Sequence, residues 1–294
     1  MLTLQEGTRD GYVETALGRV HYVSAGSGSP LVLIHGGFGS WAHWRENLAA
    51  LAREHTVFAI DMPGFGLSCD ATPGSSIEQL ALTVRDAIAA MRETLPEPLR
   101  QQPAAIAAFS FGTAVAVRLA LLDPQAVRAL LLINPPGLGQ VSEQVKAIQA
   151  RAADAARTQG LRAGLEVTLR ELMVHRPALA TPAALDLLED CVTHTRFVSR
   201  SLSRSVHLRP MISELRMPVH VVLGEEDPHQ KHELHERLAW LRQTLGSANV
   251  SLFAATAHWL QYEQAERFNA LALRCFRDDA GAPTGVAHAD GQAV

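Results

Sequence analysis

Ala105-Ile-Ala-Ala-Phe109-Ser110-Phe-Gly112-Thr113 is a short apolar run that passes through a serine and a glycine, without an intervening loop, into a second apolar stretch, Gly112 to Leu122. Five consecutive apolar residues suit a strand covered on both faces, and the stretch that follows has the length of a helix. A serine at such a strand-to-helix turn is thrust off the strand end. The pattern A-x-S-x-G keeps the positions two before and two after it small, here Ala108 and Gly112. The competing reading of these letters is a serine that caps an ordinary helix.

Similar runs lie on either side. Leu31-Val-Leu-Ile34, Thr56 to Ile60, Ala129 to Ile133, Val219 to Leu223 and Val250 to Phe253 all read as buried strands, and Tyr12 to Ala25, broken at Gly18, reads as a hairpin. Helical patterns separate them: Trp41 to Ala52, Ser76 to Glu93 behind a capping box Ser75-Ser-Ile-Glu78, and Lys231 to Leu245. The alternation predicts an α/β fold with a mostly parallel central sheet and helices on both faces. It stops between about Gly137 and Leu215, where Leu165, Leu169, Leu172 and Met173 recur at helical spacing. The expected organisation is a core of residues 1–137 and 215–277, a helical lid over 138–214, and a disordered tail, 278–294, too poor in large apolar residues to offset its ordering entropy.

A serine hydroxyl is a weak nucleophile at neutral pH and needs an imidazole in hydrogen-bond reach, itself oriented by a carboxylate. Gly224-Glu-Glu-Asp227-Pro228 follows one strand and Ala257-His258-Trp259 follows the last. The order Ser110, Asp227, His258 results, with Glu225 and Glu226 as rival acids in the same turn and Asp227 favoured by its place before Pro228. The strand ending at Ile133 is followed by Asn134 rather than an acid, which leaves the turn after Leu223. A developing oxyanion needs donors, expected from the amide of Phe111 and from the loop His35-Gly-Gly-Phe-Gly-Ser40, through Gly37 or Phe38. His35 is read as a brace for that loop, and Asp61 to Ser68 as turn chemistry. His229, His232 and His235 recur every third residue; a solvated helix face is the expected reading, and no metal is assigned.

The chain has 294 residues, 47% of them hydrophobic, a formal net charge of -4 and no basic stripe, so nucleic acid is not an expected partner. No apolar run is long enough to span a bilayer, and the N-terminus lacks the pattern of a secretory signal, so a cytoplasmic protein with no membrane partner is expected. Cys69, Cys191 and Cys275 are odd in number and far apart, which fits neither a disulfide framework nor a metal site. A homo-oligomer is compatible with the sequence.

With His35-Gly-Gly, Asp61-Met-Pro-Gly-Phe-Gly-Leu-Ser68, Ala108-Phe-Ser-Phe-Gly112, Gly224-Glu-Glu-Asp227 and Ala257-His258 in this order, the chain resembles the α/β-hydrolase superfamily. His258-Trp-Leu-Gln-Tyr-Glu263 followed by Arg267-Phe-Asn269 is similar to the C-terminal signature of the meta-cleavage-product hydrolases, and Leu172 to Thr181 resembles the start of their lid. The resemblance implies a cofactor-independent serine hydrolase that cleaves a carbon-carbon bond in a small, largely apolar ring-fission product, with Phe38 and Trp259 against the substrate. Two positions depart from that subfamily. Leu185 to Leu188 stand where it carries an arginine for the substrate carboxylate, and Phe109 stands where it carries an asparagine. Arg196, Arg200 and Arg204 are the candidate replacements for the cation, and a carboxylesterase or lactonase is the alternative activity. A non-catalytic ligand-binding receptor is a third reading.

Overall fold

The computed structural model describes residues 3–277, so the expected tail over 278–294 lies outside the described residues. Eight strands, β1 (Thr8–Thr15), β2 (Gly18–Ala25), β3 (Ser29–Ile34), β4 (His55–Ile60), β5 (Ala104–Phe109), β6 (Val127–Ile133), β7 (Val219–Gly224) and β8 (Val250–Phe253), form one sheet in the order β1-β2-β4-β3-β5-β6-β7-β8. The β1–β2 and β2–β4 pairs are antiparallel and every other pair is parallel. The helices are α1 (Leu48–Leu51), α2 (Ile77–Glu93), α3 (Phe111–Leu122), α4 (Glu143–Gln159), α5 (Leu161–Thr168), α6 (Pro182–Thr193), α7 (Arg200–Ser205), α8 (Leu208–Ser213), α9 (Leu234–Leu245), α10 (Leu260–Glu263) and α11 (Ala265–Cys275).

Side chains alternate between the two faces of a strand, and both faces of the central strands are covered. Val32 and Ile34 of β3 and Ile106 and Ala108 of β5 join a core layer with α2, α3 and α9, while Leu31, Leu33, Ala107 and Phe109 join the opposite layer with α1 and α11. Every residue of β3 and of β5 is buried, which is why these strands read as continuous apolar runs. Helix α2 does begin with a capping box, shifted by one residue from the expected one. Ser76 accepts from the Gln79 amide and Gln79 reaches back to the Ser76 amide, because Ser76 is the residue with extended backbone.

Between β6 and β7 the described residues form helices joined by loops, α4 to α8, with no strand and with a π-helical turn at Leu169–Met173. Leu208 and Ile212 of α8 pack in the same core layer as α3, and residues of α4 to α7 line one cavity together with Ser110. Burial pushes the thiol of Cys191 up to about 12 and that of Cys275 to about 11, away from thiolate chemistry. Among the described residues no helix is long and apolar enough to cross a membrane.

Candidate active site

Ser110 sits between the end of β5 and the start of α3 with φ 48° and ψ -122°, a backbone region that non-glycine residues avoid. Three bonds hold it there. Its amide donates to Ile133 O at 2.9 Å, and its carbonyl accepts from the Thr113 amide at 2.9 Å and the Thr113 hydroxyl at 2.6 Å. Gly112 lets α3 approach the end of β3: a Cβ there would lie 2.3 Å from His35 O and 2.8 Å from Ile34 O. The crowding that requires a glycine thus comes first from the neighbouring strand.

The three sequence candidates meet in one hydrogen-bonded chain. His258 Nδ1 lies 2.7 Å from Asp227 Oδ2, and His258 Nε2 lies 2.9 Å from Ser110 Oγ. An ionised carboxylate can only accept, so Nδ1 carries the proton and Nε2 is free to accept from the Ser110 hydroxyl. Asp227 is fully buried. Burial alone would raise its pKa, but the charge and hydrogen bond of His258 and the amide of His229, 2.9 Å from Asp227 Oδ1, outweigh it and hold the carboxyl below its usual range. The rival acids are engaged elsewhere. Glu225 accepts from the Ala255 amide and Glu226 pairs with Lys231.

Two further residues position this chain, and the sequence assigned neither of them that role. Asn134, with φ 45°, accepts from the Gly224 amide through Oδ1 at 2.9 Å and donates through Nδ2 to His258 O at 2.8 Å and Ala257 O at 3.3 Å. It ties the ends of β6 and β7 to the loop that carries His258. Buried Glu263 accepts from the amides of Ala257, His175 and Arg176, joining that loop to the helical segment. The signal for Glu263 was present: it closes the stretch that begins at His258, five residues away, and a buried glutamate requires donors.

Phe111 is the first residue of α3, where an amide has no acceptor within the helix. Gly37 is its neighbour across the loop: a Cβ on Gly37 would lie 3.7 Å from Phe111 Cβ and 2.5 Å from the Ser199 hydroxyl. Phe38 follows with φ 56°. His35 braces this loop as expected of it, with Nδ1 2.6 Å from Gly36 O and Nε2 accepting from the Met62 amide at 3.0 Å. Asp61 has the structural role expected of its turn. It accepts from the amides of Trp41 and Leu67 and pairs with His21.

Ser110, His258, Gly37, Phe38 and Phe111 all face a cavity of about 370 Å³ between the strand ends and the helical segment. Its walls are mostly apolar, with Leu165, Leu172 and Leu188 among them. Arg200 lines it, its guanidinium 5.5 Å above the Phe38 ring, and makes no ion pair with a carboxylate among the described residues. Partial burial and the charge of Arg204 both act against the Arg200 charge. Arg204 also lines the cavity and donates to Gln149.

Two expected substrate contacts are not brought there. Trp259 is fully buried below the cavity, stacked on Tyr262 at 4.2 Å and donating from Nε1 to His43 O, because the turn into α10 rotates its ring into the core. Arg196 points away from the cavity into the Asp61–Ser68 turn, bound to Asp70 and to the carbonyls of Gly66 and Ser68. The three-residue histidine spacing also has another meaning than a helix face. The helical turns begin only at Lys231, so His229 belongs to the turn after β7 and lies against His258, while His232 faces Glu233.

The sequence profile of the alpha/beta hydrolase family matches residues 31–271. This chain belongs to that family. The 2-hydroxy-6-oxononadienedioate/2-hydroxy-6-oxononatrienedioate hydrolase of Burkholderia vietnamiensis is 29% identical to it over 275 residues, 88% of this chain and 91% of the relative. The 2-hydroxy-6-oxo-6-phenylhexa-2,4-dienoate hydrolase of Comamonas testosteroni is 25% identical over 272 residues, 88% of this chain and 91% of the relative. The resemblance to meta-cleavage-product hydrolases therefore extends over most of this alpha/beta hydrolase. Among solved structures, naproxen esterase (carboxylesterase NP) from Bacillus subtilis is alike in fold, with a TM-score of 0.73 over 92% of each chain at 18% identity.

Proposed function

We propose that this alpha/beta hydrolase is a serine hydrolase that cleaves a carbon-carbon bond in a small dienoate of the meta-cleavage type. The observation that carries the reading is the chain Ser110–His258–Asp227 at the wall of a largely apolar cavity that also holds the guanidinium of Arg200, which has no carboxylate partner among the described residues, with Arg204 bound to Gln149 beside it. In this reading Ser110 Oγ attacks the substrate carbonyl while His258 Nε2 takes its proton, and Asp227 stabilises the imidazolium. The carbonyl oxygen becomes an oxyanion held by the amides of Phe111 and Gly37, with Phe38 as the alternative donor. His258 returns the proton to the departing carbon fragment, and water, activated by the same imidazole, releases the acyl group from Ser110. No step needs a metal or organic cofactor. Arg200 receives the substrate carboxylate, whose burial without a partner would cost several kcal/mol. Helices α4 to α7 act as the lid.

The second reading, a carboxylesterase or lactonase, is favoured by the leucines at 185–188 and by the apolar walls. One set of assays separates them: wild type, Ser110→Ala and Arg200→Met on a 2-hydroxy-6-oxohexadienoate and on p-nitrophenyl butyrate. Ser110→Ala is expected to lose at least about four orders of magnitude in kcat on either accepted substrate. Arg200→Met is expected to raise KM for the dienoate about tenfold or more relative to the ester, the loss of one charge-assisted contact. Turnover of the ester with no cleavage of the dienoate at millimolar concentration would replace the first reading by the second.

A further inference from the structure

His229 has no part in the mechanism above, yet its ring lies 4.6 Å, centroid to centroid, from that of His258, inclined at 45°. It lines the same cavity as Ser110 and His258. Its backbone is committed, since the amide donates to Asp227 Oδ1 and the carbonyl accepts from Arg237. Its side chain is not: among the described residues neither ring nitrogen has a hydrogen-bond partner in the protein, and neither is fully sealed from solvent. A polar ring placed in an apolar cavity with both nitrogens unsatisfied is costly unless a ligand or water completes it.

We infer that His229 is a specificity-determining residue that hydrogen-bonds an uncharged oxygen, a hydroxyl or carbonyl, on the leaving-group side of the substrate. The inference rests on Ser110 and His258 being the reacting pair. The argument for the leaving-group side is geometric. The departing atom must come within about 3 Å of His258 Nε2 to collect its proton. The His229 ring, 4.6 Å from that of His258 and on the wall of the same cavity, is a polar group beside the path that the next atoms of the leaving group would take. The argument for an uncharged oxygen is chemical. Burial first, then the charges of His258 and Arg237, lower the His229 pKa to about 4 against the pull of Asp227, so at neutral pH the ring is not a cation. A neutral imidazole offers one donor and one acceptor, which a hydroxyl satisfies completely and a carbonyl satisfies from the donor side. The cavity thus divides its recognition. Arg200, over Phe38, suits a carboxylate, and His229, beside His258, suits an oxygen near the bond that breaks.

The test uses two esters of nearly equal size, 2-hydroxyethyl butyrate and propyl butyrate, which differ in one terminal hydroxyl of the leaving group. Wild type is expected to prefer the hydroxylated ester in kcat/KM. His229→Phe, which keeps the ring packing and the backbone bond to Asp227, is expected to shift the ratio of the two kcat/KM values about tenfold toward the propyl ester, the worth of one hydrogen bond. His229→Gln, which restores a donor and an acceptor, is expected to bring the ratio back to within about threefold of wild type, which a merely structural role would not do. A ratio unchanged in His229→Phe, or inability of wild type to cleave either ester, overturns the inference. Labelling of wild type by a fluorophosphonate, mapped to a peptide, tells this failure from that of the parent reading. Label at Ser110 with an unchanged ratio removes only the role of His229, whereas no label at Ser110 removes the serine mechanism with it.

Discussion

At the scale of single residues, three acids in one turn have three fates. Glu225 turns to the Ala255 amide, Glu226 to Lys231, and only Asp227 is buried against His258. Replacing Asp227 by Asn keeps the shape but lets the side chain donate, so His258 loses the reason to hold its proton on Nδ1. Steady-state assays are expected to show Asp227→Asn down about 10⁴-fold in kcat, with Glu225→Gln and Glu226→Gln within about threefold of wild type. A dead glutamate variant would move the acid to that position. The sequence pointed to Ser110, Asp227 and His258 because each lies in the turn or loop that follows a strand, and strand ends are where a parallel sheet presents its site. It did not point to His229, since a spacing of three residues looks helical and the actual start of the helical turns at Lys231 has no letter that announces it. Trp259 and Arg196 were misplaced for a related reason. Where a long side chain points depends on neighbours remote in sequence, His43 and Tyr262 for the tryptophan, Asp70 and two carbonyls for the arginine.

At the scale of elements, the site depends on three strand ends being held level. Asn134 does this with three hydrogen bonds to groups from β7 and the His258 loop, all buried. Asn134→Ala leaves those partners unsatisfied, and its positive φ suits alanine less than asparagine. Urea denaturation is expected to show a loss of about 3 kcal/mol, with kcat reduced at least about tenfold on the folded fraction; a stable, fully active variant would refute the role. The strands and the long helices were legible from apolar periodicity, down to a capping box that is misplaced by one residue. The helical segment was legible only as helical. Its attachments were not, because they run through main-chain groups and through Glu263, whose partners lie 6 to 88 residues away.

At the scale of the whole molecule, several imidazoles are folded as neutral groups. Burial lowers the pKa of His43 well below its ordinary value and that of His35 below it, and carries His229 and His220 to about 4. Between about pH 6.5 and 4 the unfolded chain takes up protons on these rings and the folded chain does not, so stability rises with pH across that window and is lost on acidification. Calorimetry is expected to show the melting temperature falling by at least about 5 °C from pH 6.5 to 4.5, and a flat profile would contradict the burial of these rings. Arg196 belongs to this scale too, since it fastens the helical segment to the turn at residues 61–68. Its acceptors at Gly66, Ser68 and His194 are main-chain carbonyls, and its own amide donates to the carbonyl of Gly64. A carbonyl survives any side-chain substitution, so drift in the sequence of that turn leaves most of the fastening in place. On the other side the whole guanidinium fork hangs on one codon. Mutational robustness is therefore unequal across this joint: the turn keeps its carbonyls whatever its side chains, while the guanidinium bonds are all lost with one substitution at Arg196.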